Sequence, residues 1–339
     1  MRIVGKIVDQ RPAIDDQLEK TIPKALTLLI CILPIYGNAS ISGIWHMVNV
    51  NSGSLQGDAH ILIVDNTVVM IDAGYASEAR NHLVPYLRKL GIRRVAHFFV
   101  SHPHRDHYEG LKEIISDGVI IENLYYKVPA TTVSDSFYNA AHFSDYMSFA
   151  KDRGAKIHHP ATGFRLDLSD NSYIELVHAQ EGNLPNKTVD VNDLSLVMRW
   201  KIDAWSILFT GDLNETIGQW LADNKNVSAD ILKVPHHGGR SIAPPAFFSA
   251  VKPGYAAVPG PEWVWCGERG NIARTWLGEH QIPTWINGID GHVRYEFEGL
   301  RMRVNAEHPT NKCKVVFVPN GVFIKAINIE PAIQFLLGE

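Results

Sequence analysis

The sequence predicts an α/β protein built as a layered sandwich. Three observations carry that expectation. Short apolar runs alternate with helix-spaced amphipathic stretches from about residue 45 to residue 300. The alternation falls into two halves, as two packed sheets with outer helices require. Several apolar runs end directly in loops bearing His and Asp. With 45% hydrophobic and 20% charged residues, the 339-residue chain has the balance of a soluble globular protein, long enough for one large domain or two modest ones. Its net charge of −4 leaves no basic excess for gripping a polyanion, so nucleic acid stays open as a substrate but is not favoured by charge.

The elements follow in order. His60–Asp65 and Thr67–Ile71 read as two strands about a polar turn at Asp65-Asn66. Glu78–Leu90 reads as a helix with Leu83, Leu87 and Leu90 on one face and Gly91 as its stop. Val95–Val100 has the short apolar run of a buried strand, and Leu111–Ser116 reads as a helix. Ile120–Tyr126 is a strand and Ser136–Gly154 a surface helix. Tyr173–Ala179, Leu194–Trp200 and Trp205–Thr210 are three more strands, followed by a helix at Asn214–Ala222 and a strand at Asp230–Val234. Tyr255–Val258, a helix near Ile272–His280, and strands at Thr284–Ile286 and Val293–Glu298 continue the pattern. Beyond it, Lys314–Val318 and Val322–Ile327 are strand-like and have no assigned function.

Ala25–Tyr36 is the most apolar run. It follows Lys20 and Lys24 and precedes Gly37-Asn38-Ala39, the pattern of a secretory signal cleaved after Ala39. Asp9, Asp15, Asp16 and Glu19 upstream are foreign to such a signal. The run is too short to span a bilayer comfortably. The expected organisation is residues 1–39 as a signal peptide or N-terminal extension, 40–300 as the main domain, and 301–339 as a C-terminal extension with short strands. Export to the periplasm or medium is the expected fate, with the cytoplasm as the alternative and no stable membrane span after processing. Cys31, Cys266 and Cys313 have no C-x-x-C spacing, so no thiolate zinc site is expected. Cys266 and Cys313 remain as a disulfide pair if residues 1–39 are removed; the simpler expectation is two unpaired small hydrophobes.

The strongest local signal is Ser101-His102-Pro103-His104-Arg105-Asp106-His107, directly after an apolar strand. His102 and His104 are two apart, so in extended chain both point to one side. Asp106 and His107 sit where the loop turns into the next helix and address a second metal nearby. Imidazole with carboxylate suits zinc, manganese or iron. Two adjacent ions polarise one substrate oxygen and lower the pKa of a shared water.

This H-x-H-x-D-H string resembles the signature of the metallo-β-lactamase superfamily, and other motifs follow in that family's order. Met70-Ile71-Asp72-Ala73-Gly74 resembles the early strand end whose aspartate braces the metal loop without ligating metal. Phe209-Thr210-Gly211-Asp212 resembles the later strand end whose aspartate bridges both metals. Asp230-Ile231-Leu232-Lys233-Val234-Pro235-His236-His237-Gly238 is similar to a segment of the branch containing ComEC-type DNA-uptake hydrolase domains and phosphorylcholine esterases. Gln56-Gly57-Asp58-Ala59 and Asn192-Asp193-Leu194-Ser195-Leu196-Val197 agree with that branch, as does Thr284–Glu298 with Gly288 and Gly291. The resemblance covers about residues 45–300. It implies a four-layer αββα sandwich and two divalent ions, zinc or manganese. The implied ligands are His102, His104, Asp106, His107, Asp212 and His237. Asp72, Asn192, Ser195 and Lys233 support them. Asp106 holds the second metal and orients the water; one of His236 and His237 completes that metal's shell and the other protonates the leaving oxygen.

Other histidines carry no such role. His97 reads as a satisfied core residue, His178 as structural, and His158, His159 and His292 as surface or supporting groups. The chain departs from the family pattern in three places, the first being the opening motif, where Asn51–Leu55 replaces a compact turn. Where many members supply a middle histidine it has Asn192-Asp193, which implies a first metal with fewer protein ligands. Near Trp263–Asn271 the branch's usual Asn/His-Pro segment is absent, and Trp263, Trp265, Arg269 and Arg274 stand there instead. Such an aromatic loop grips a ring or a choline-like cation, or forms a hydrophobic lid. The expected function is hydrolysis of a phosphodiester by a metal-bridged hydroxide, the substrate being a small molecule or other phosphodiester. A lactone, lactam or thioester hydrolase on the same site is the alternative, and a non-enzymatic metal-binding member of the fold comes last. Oligomeric state is not legible.

Overall fold

The computed structural model describes residues 41–129, 135–180, 190–240 and 242–325. The apolar run Ala25–Tyr36, the processing site after Ala39 and residues 326–339 lie outside the described residues. Strands β1 Gly43–Met47, β2 His60–Val64, β3 Thr67–Ile71, β4 Arg94–Phe99, β5 Ile120–Tyr125 and β6 Lys156–His158 build one side of a first sheet. β7 Arg165–Ser169, β8 Ser172–His178, β9 Val197–Ile202, β10 Trp205–Phe209, β11 Ile231–Lys233, β12 Tyr255–Pro261 and β13 Thr284–Ile286 form a second. β14 Val293–Glu298, β15 Arg301–Ala306 and β16 Gly321–Ile324 return to the first. The first sheet runs β16-β15-β14-β1-β2-β3-β4-β5-β6 and the second β13-β12-β11-β10-β9-β8-β7.

The cores explain the layering. Trp45, Leu62, Val69 and Ile71 from the first sheet meet Ile174, Met198, Trp200 and Ile207 from the second in one buried apolar layer. The outer face of the first sheet packs Ile61, Met70 and Phe98 under a helical stretch over residues 76–89 (α1) and the helices Arg105–Tyr108 (α2), Gly110–Ser116 (α3) and Ala140–Asp152 (α4). The outer face of the second packs Leu208, Leu232 and Val258 under Glu215–Asn224 (α5), Pro245–Val251 (α6) and Asn271–Glu279 (α8); the short helix Glu262–Cys266 (α7) precedes α8. This is the four-layer sandwich. β8 is buried at alternate residues, the period of a strand with one face covered. β10 is buried throughout because both its faces are covered, which is why it reads as a continuous apolar run.

β3 to β6 pair in parallel, as do β10 to β13. The C-terminal ends of β3, β4, β10 and β11 therefore come out on the functional side, where open α/β sheets place their ligands.

Several elements differ from expectation. Arg301–Ala306 is a six-residue strand paired along its length with β14, so residues just past 300 continue the first sheet. Lys314–Val318 is not a strand; side-chain anchors hold it instead. Lys314 Nζ lies 2.8 and 2.7 Å from the two Asp290 carboxylate oxygens, both side chains buried. Cys266 and Cys313, expected as unpaired hydrophobes, form a disulfide with Cα atoms 5.4 Å apart. Among the described residues no helix is long and apolar enough to cross a membrane.

Candidate metal centre

The His-rich string leaves β4 and turns into α2, whose first turn carries Asp106 and His107. At the neighbouring end of β3, Asp72 takes a left-handed conformation (φ 60°), which a short polar side chain tolerates. From there it accepts the Ser101 N–H at 2.7 Å, the Ser101 hydroxyl at 2.7 Å and the His107 Nδ1–H at 2.8 Å. Asp72 thus braces the loop from behind. Because Ser101 gives its proton to Asp72, its oxygen accepts from His102 Nδ1 at 3.1 Å.

After β10, Gly211 adopts φ +53°, and a Cβ there would stand 2.6 Å from Ser195 Oγ. The same hydroxyl accepts the Asp212 N–H at 3.0 Å, so Ser195 sets where that carboxylate stands. After β11, His236, His237 and Gly238 are consecutive left-handed residues. This strained turn drives His237 into the interior and leaves His236 on the cleft wall. His237 Nδ1 donates to the Pro259 carbonyl at 2.8 Å, with Asp58 Oδ1 at 3.0 Å.

Each imidazole is therefore fixed by an outer partner, and the inner nitrogens face acceptors. His107 Nε2 lies 3.3 Å from Asp212 Oδ2; His237 Nε2 lies 3.1 Å from the same oxygen and 3.3 Å from Asp106 Oδ2. Neither Nε2 has a hydrogen-bond partner of its own. One ligand atom from each of Asp106, His107, Asp212 and His237 falls within 4.8 Å of the others, all buried. Beside them, His104 Nε2 donates to Asp135 Oδ2 at 2.8 Å, which leaves its Nδ1 facing His102 Nε2 at 3.2 Å. Imidazole nitrogens and carboxylates converging in this way form a donor set that suits a cation. The donor set fits a divalent metal ion.

The electrostatics agree. Burial pushes the His107 imidazole down, but Asp212, Asp72 and Asp106 outweigh it and hold its pKa well above the ordinary value. Burial is likewise overcome at His237 by Asp212 and Asp58. Burial opposes ionisation of Asp212, yet His237 and His107 keep its carboxyl well below the usual range. A divalent ion takes imidazole neutral and displaces those protons.

All the residues expected at the site lie here or beside it. Asp106, His107, Asp212 and His237 form the four-donor group. His102 and His104 adjoin it as a pair, the His102 and His107 rings 4.0 Å apart. Asn192 lines the cleft and its buried Oδ1 has no partner. Lys233 is fully buried: its Nζ lies 2.5 Å from Asp58, 3.7 Å from Asp212, and donates to the Gly211 carbonyl at 2.7 Å. Two residues were missed. Asp58 anchors both Lys233 and His237, and its signal was its place in Gln56-Gly57-Asp58-Ala59. Asp135 orients His104 from a loop that carries no motif. Above the donors lies an open cleft of about 810 Å³, whose lining includes Tyr75, Asn214, His236, Trp263 and Arg269. His97, expected in the core, bonds Tyr125 Oη at 3.0 Å.

Two sheets packed face to face, with His and Asp donors gathered at their strand ends, define a metal-binding α/β sandwich of the hydrolase type. The metallo-β-lactamase superfamily model matches residues 53–259, and the chain belongs to that superfamily. It is similar to ComE operon protein 3 of Bacillus subtilis (strain 168), 25% identical over 177 residues, covering 52% of this chain and 21% of the relative. It is also similar to Competence protein ComA of Neisseria gonorrhoeae, 26% identical over 206 residues, covering 60% of this chain and 25% of the relative. Both matches agree with the ComEC-like branch, and the chain spans only about a quarter of either relative or less. Among solved structures it resembles the metallo-β-lactamase fold protein YhfI from Bacillus subtilis, with TM-score 0.48, 11% identity, and coverage of 72% of this chain and 96% of that one.

Proposed function

We propose that the chain hydrolyses a phosphodiester with two divalent ions, zinc or manganese, held in this centre. The observation that carries the reading is the convergence of Asp106, His107, Asp212 and His237 beside the His102–His104 pair under an open cleft, with His107 Nε2, His237 Nε2 and Asp212 Oδ1 left without hydrogen-bond partners. The likeness to the competence-protein branch favours a phosphate ester over a lactam. Bound there, divalent ions supply an activated water and an electrophile for the phosphoryl oxygens.

The chain's own residues divide the remaining work. His102 and His104 would hold one ion and Asp106, His107 and His237 the other, with Asp212 standing beside His107 and His237. Asp135 fixes the His104 ring and Asp72 the His107 ring. Lys233 balances the charge of Asp58 and Asp212 from beneath. His236 stands on the cleft wall with Nδ1 unpartnered. Burial lowers its imidazole below the ordinary range, so at rest it is neutral and offers an N–H to the leaving oxygen. The proposal includes export. The Cys266–Cys313 disulfide supports it, because cytosolic thiols are kept reduced.

The test is a panel assay of purified protein with added manganese or zinc on bis-p-nitrophenyl phosphate, single-stranded DNA, a phosphocholine ester and a lactam. Phosphodiester cleavage with about two bound ions per chain is expected. His104→Ala and Asp212→Ala each lower turnover on the order of 100-fold or more, with the circular dichroism spectrum retained. Wild-type rates in either variant, or cleavage of the lactam alone, would overturn the assignment.

A further inference from the structure

We infer that the cleft rim carries a subsite for a second phosphate flanking the scissile one, formed by Arg269 braced on Trp263. The inference rests on the phosphodiester reading above and names the substrate class within it.

The segment that departs from the branch's pattern supplies both residues. Trp263 is 41% exposed, and the Arg269 guanidinium lies 5.3 Å from its ring centroid. Both line the cleft that also contains His104, Asp106, Asp212 and His236. Arg269 has no carboxylate partner among the described residues, and its Nε is buried without a hydrogen bond. The nearby acids are engaged elsewhere: Glu262 pairs with Lys312 at 2.8 Å and Glu268 with Arg240 at 3.7 Å. Arg105, the other arginine of the cleft, is bound to Glu109. Arg269 is thus a half-buried cation whose charge the protein does not balance. A guanidinium presents a planar fork that a phosphate fills with two charge-assisted hydrogen bonds.

The rim is held in register with the metal donors. Gly238, at φ +75°, packs so closely on Trp265 that a Cβ would stand 3.0 Å from its ring. At Gly239 an added Cβ would stand 3.1 Å from the His236 carbonyl oxygen and 3.9 Å from Arg269 Nη2. Glycines at both positions bring the Trp263–Arg269 segment against the His236-His237 turn. The arrangement also decides between anion and cation. The Trp263 face is already covered by a guanidinium, so a quaternary ammonium would meet a like charge there. The subsite selects a phosphate and disfavours a choline headgroup.

The experiment compares the full chain, loaded with manganese or zinc, on a thymidine dinucleotide with and without a terminal phosphate at either end, on p-nitrophenyl phosphorylcholine, and on bis-p-nitrophenyl phosphate. Wild type is expected to prefer a phosphorylated dinucleotide in kcat/KM. Arg269→Met is expected to cut that preference about tenfold and Arg269→Lys to restore part of it. Trp263→Leu, which keeps the charge and removes its brace, lowers it about threefold. Equal losses on both dinucleotides in Arg269→Met, or a wild-type preference for the phosphorylcholine ester, overturn the subsite while leaving the phosphodiester reading standing. If wild type cleaves none of the phosphodiesters, that reading falls and the subsite falls with it.

Discussion

Asp193 is a carboxylate in the wrong place for a charge. It is buried beside Asn192, one of its oxygens has no partner, and its neighbour Asp190 is also acidic. Burial, reinforced by Asp190 and opposed by a hydrogen bond from Asn214, pushes its pKa up to about 7 from an ordinary 3.8. Below pH 3.8 both folded and unfolded chains hold the proton and nothing is lost. As pH climbs towards 7, the unfolded chain ionises first, so stability drains away across that window and the full cost is present above it. Asp193→Asn keeps the shape of the protonated acid and removes the titration. It is expected to stabilise the protein by on the order of 2 kcal/mol at pH 8 and by almost nothing at pH 4. Urea midpoints at the two pH values read this directly, and a gain of equal size at both means that Asp193 is not held protonated by the fold. Lys233 is the opposite case. It is as deeply buried, but Asp58 and Asp212 raise its pKa against the pull of burial, so it stays charged and structural.

At the scale of elements, legibility followed local pattern. β2, β3, β10 and β13 were readable because each is an apolar run bounded by turn residues, and the metal donors were readable because four of them share one loop. What failed was whatever the distant chain decides. β1 was missed because Gly43–Met47 is buried on both faces and shows no alternation. β15 does alternate, Met302 and Val304 inward and Arg301 and Arg303 outward, but lay beyond the expected close of the domain. The strap near 313 gives no local sign of its anchors, since Asp290 and Cys266 come from other elements. That strap has a measurable consequence. The disulfide spans 47 residues and pins the chain to α7, where Trp265 Nε1 donates to the Cys313 carbonyl at 2.9 Å. Closing a loop of that length is worth about 3–4 kcal/mol by the chain-entropy model. The variant Cys266→Ser, Cys313→Ser is therefore expected to unfold at a lower denaturant midpoint than oxidised wild type, and reduced wild type to match the variant. Identical midpoints for all three would mean that Lys314–Asp290 and the surrounding packing hold the strap unaided.

The whole molecule is two sheets with outer helices, and its candidate donors come from both. His102, His104, Asp106 and His107 follow a strand of the first sheet; Asp212 and His237 follow strands of the second. The sequence contained every one of these residues in order, yet only the packed structure shows which nitrogens look inward and that Asp58 and Asp135, far away in the chain, fix two of the rings. A cation bound among donors from both sheets ties them together and exists only in the folded state. By linkage it stabilises the native molecule by about 2.7 kcal/mol when the free ion stands at 100 times its dissociation constant. For a chain of 339 residues each kcal/mol moves the melting temperature by roughly 1.5–2 °C. Chelator-treated protein is thus expected to melt roughly 4–5 °C below the same sample given excess manganese or zinc. Asp212→Ala, which removes the carboxylate beside His107 and His237, is expected to lose most of that shift while its metal-free melting point stays measurable. The comparison separates a metal centre from a polar cluster. If the ions leave the wild-type melting temperature unchanged, or raise it equally in Asp212→Ala, then they bind elsewhere and the two sheets are held by their apolar layer alone.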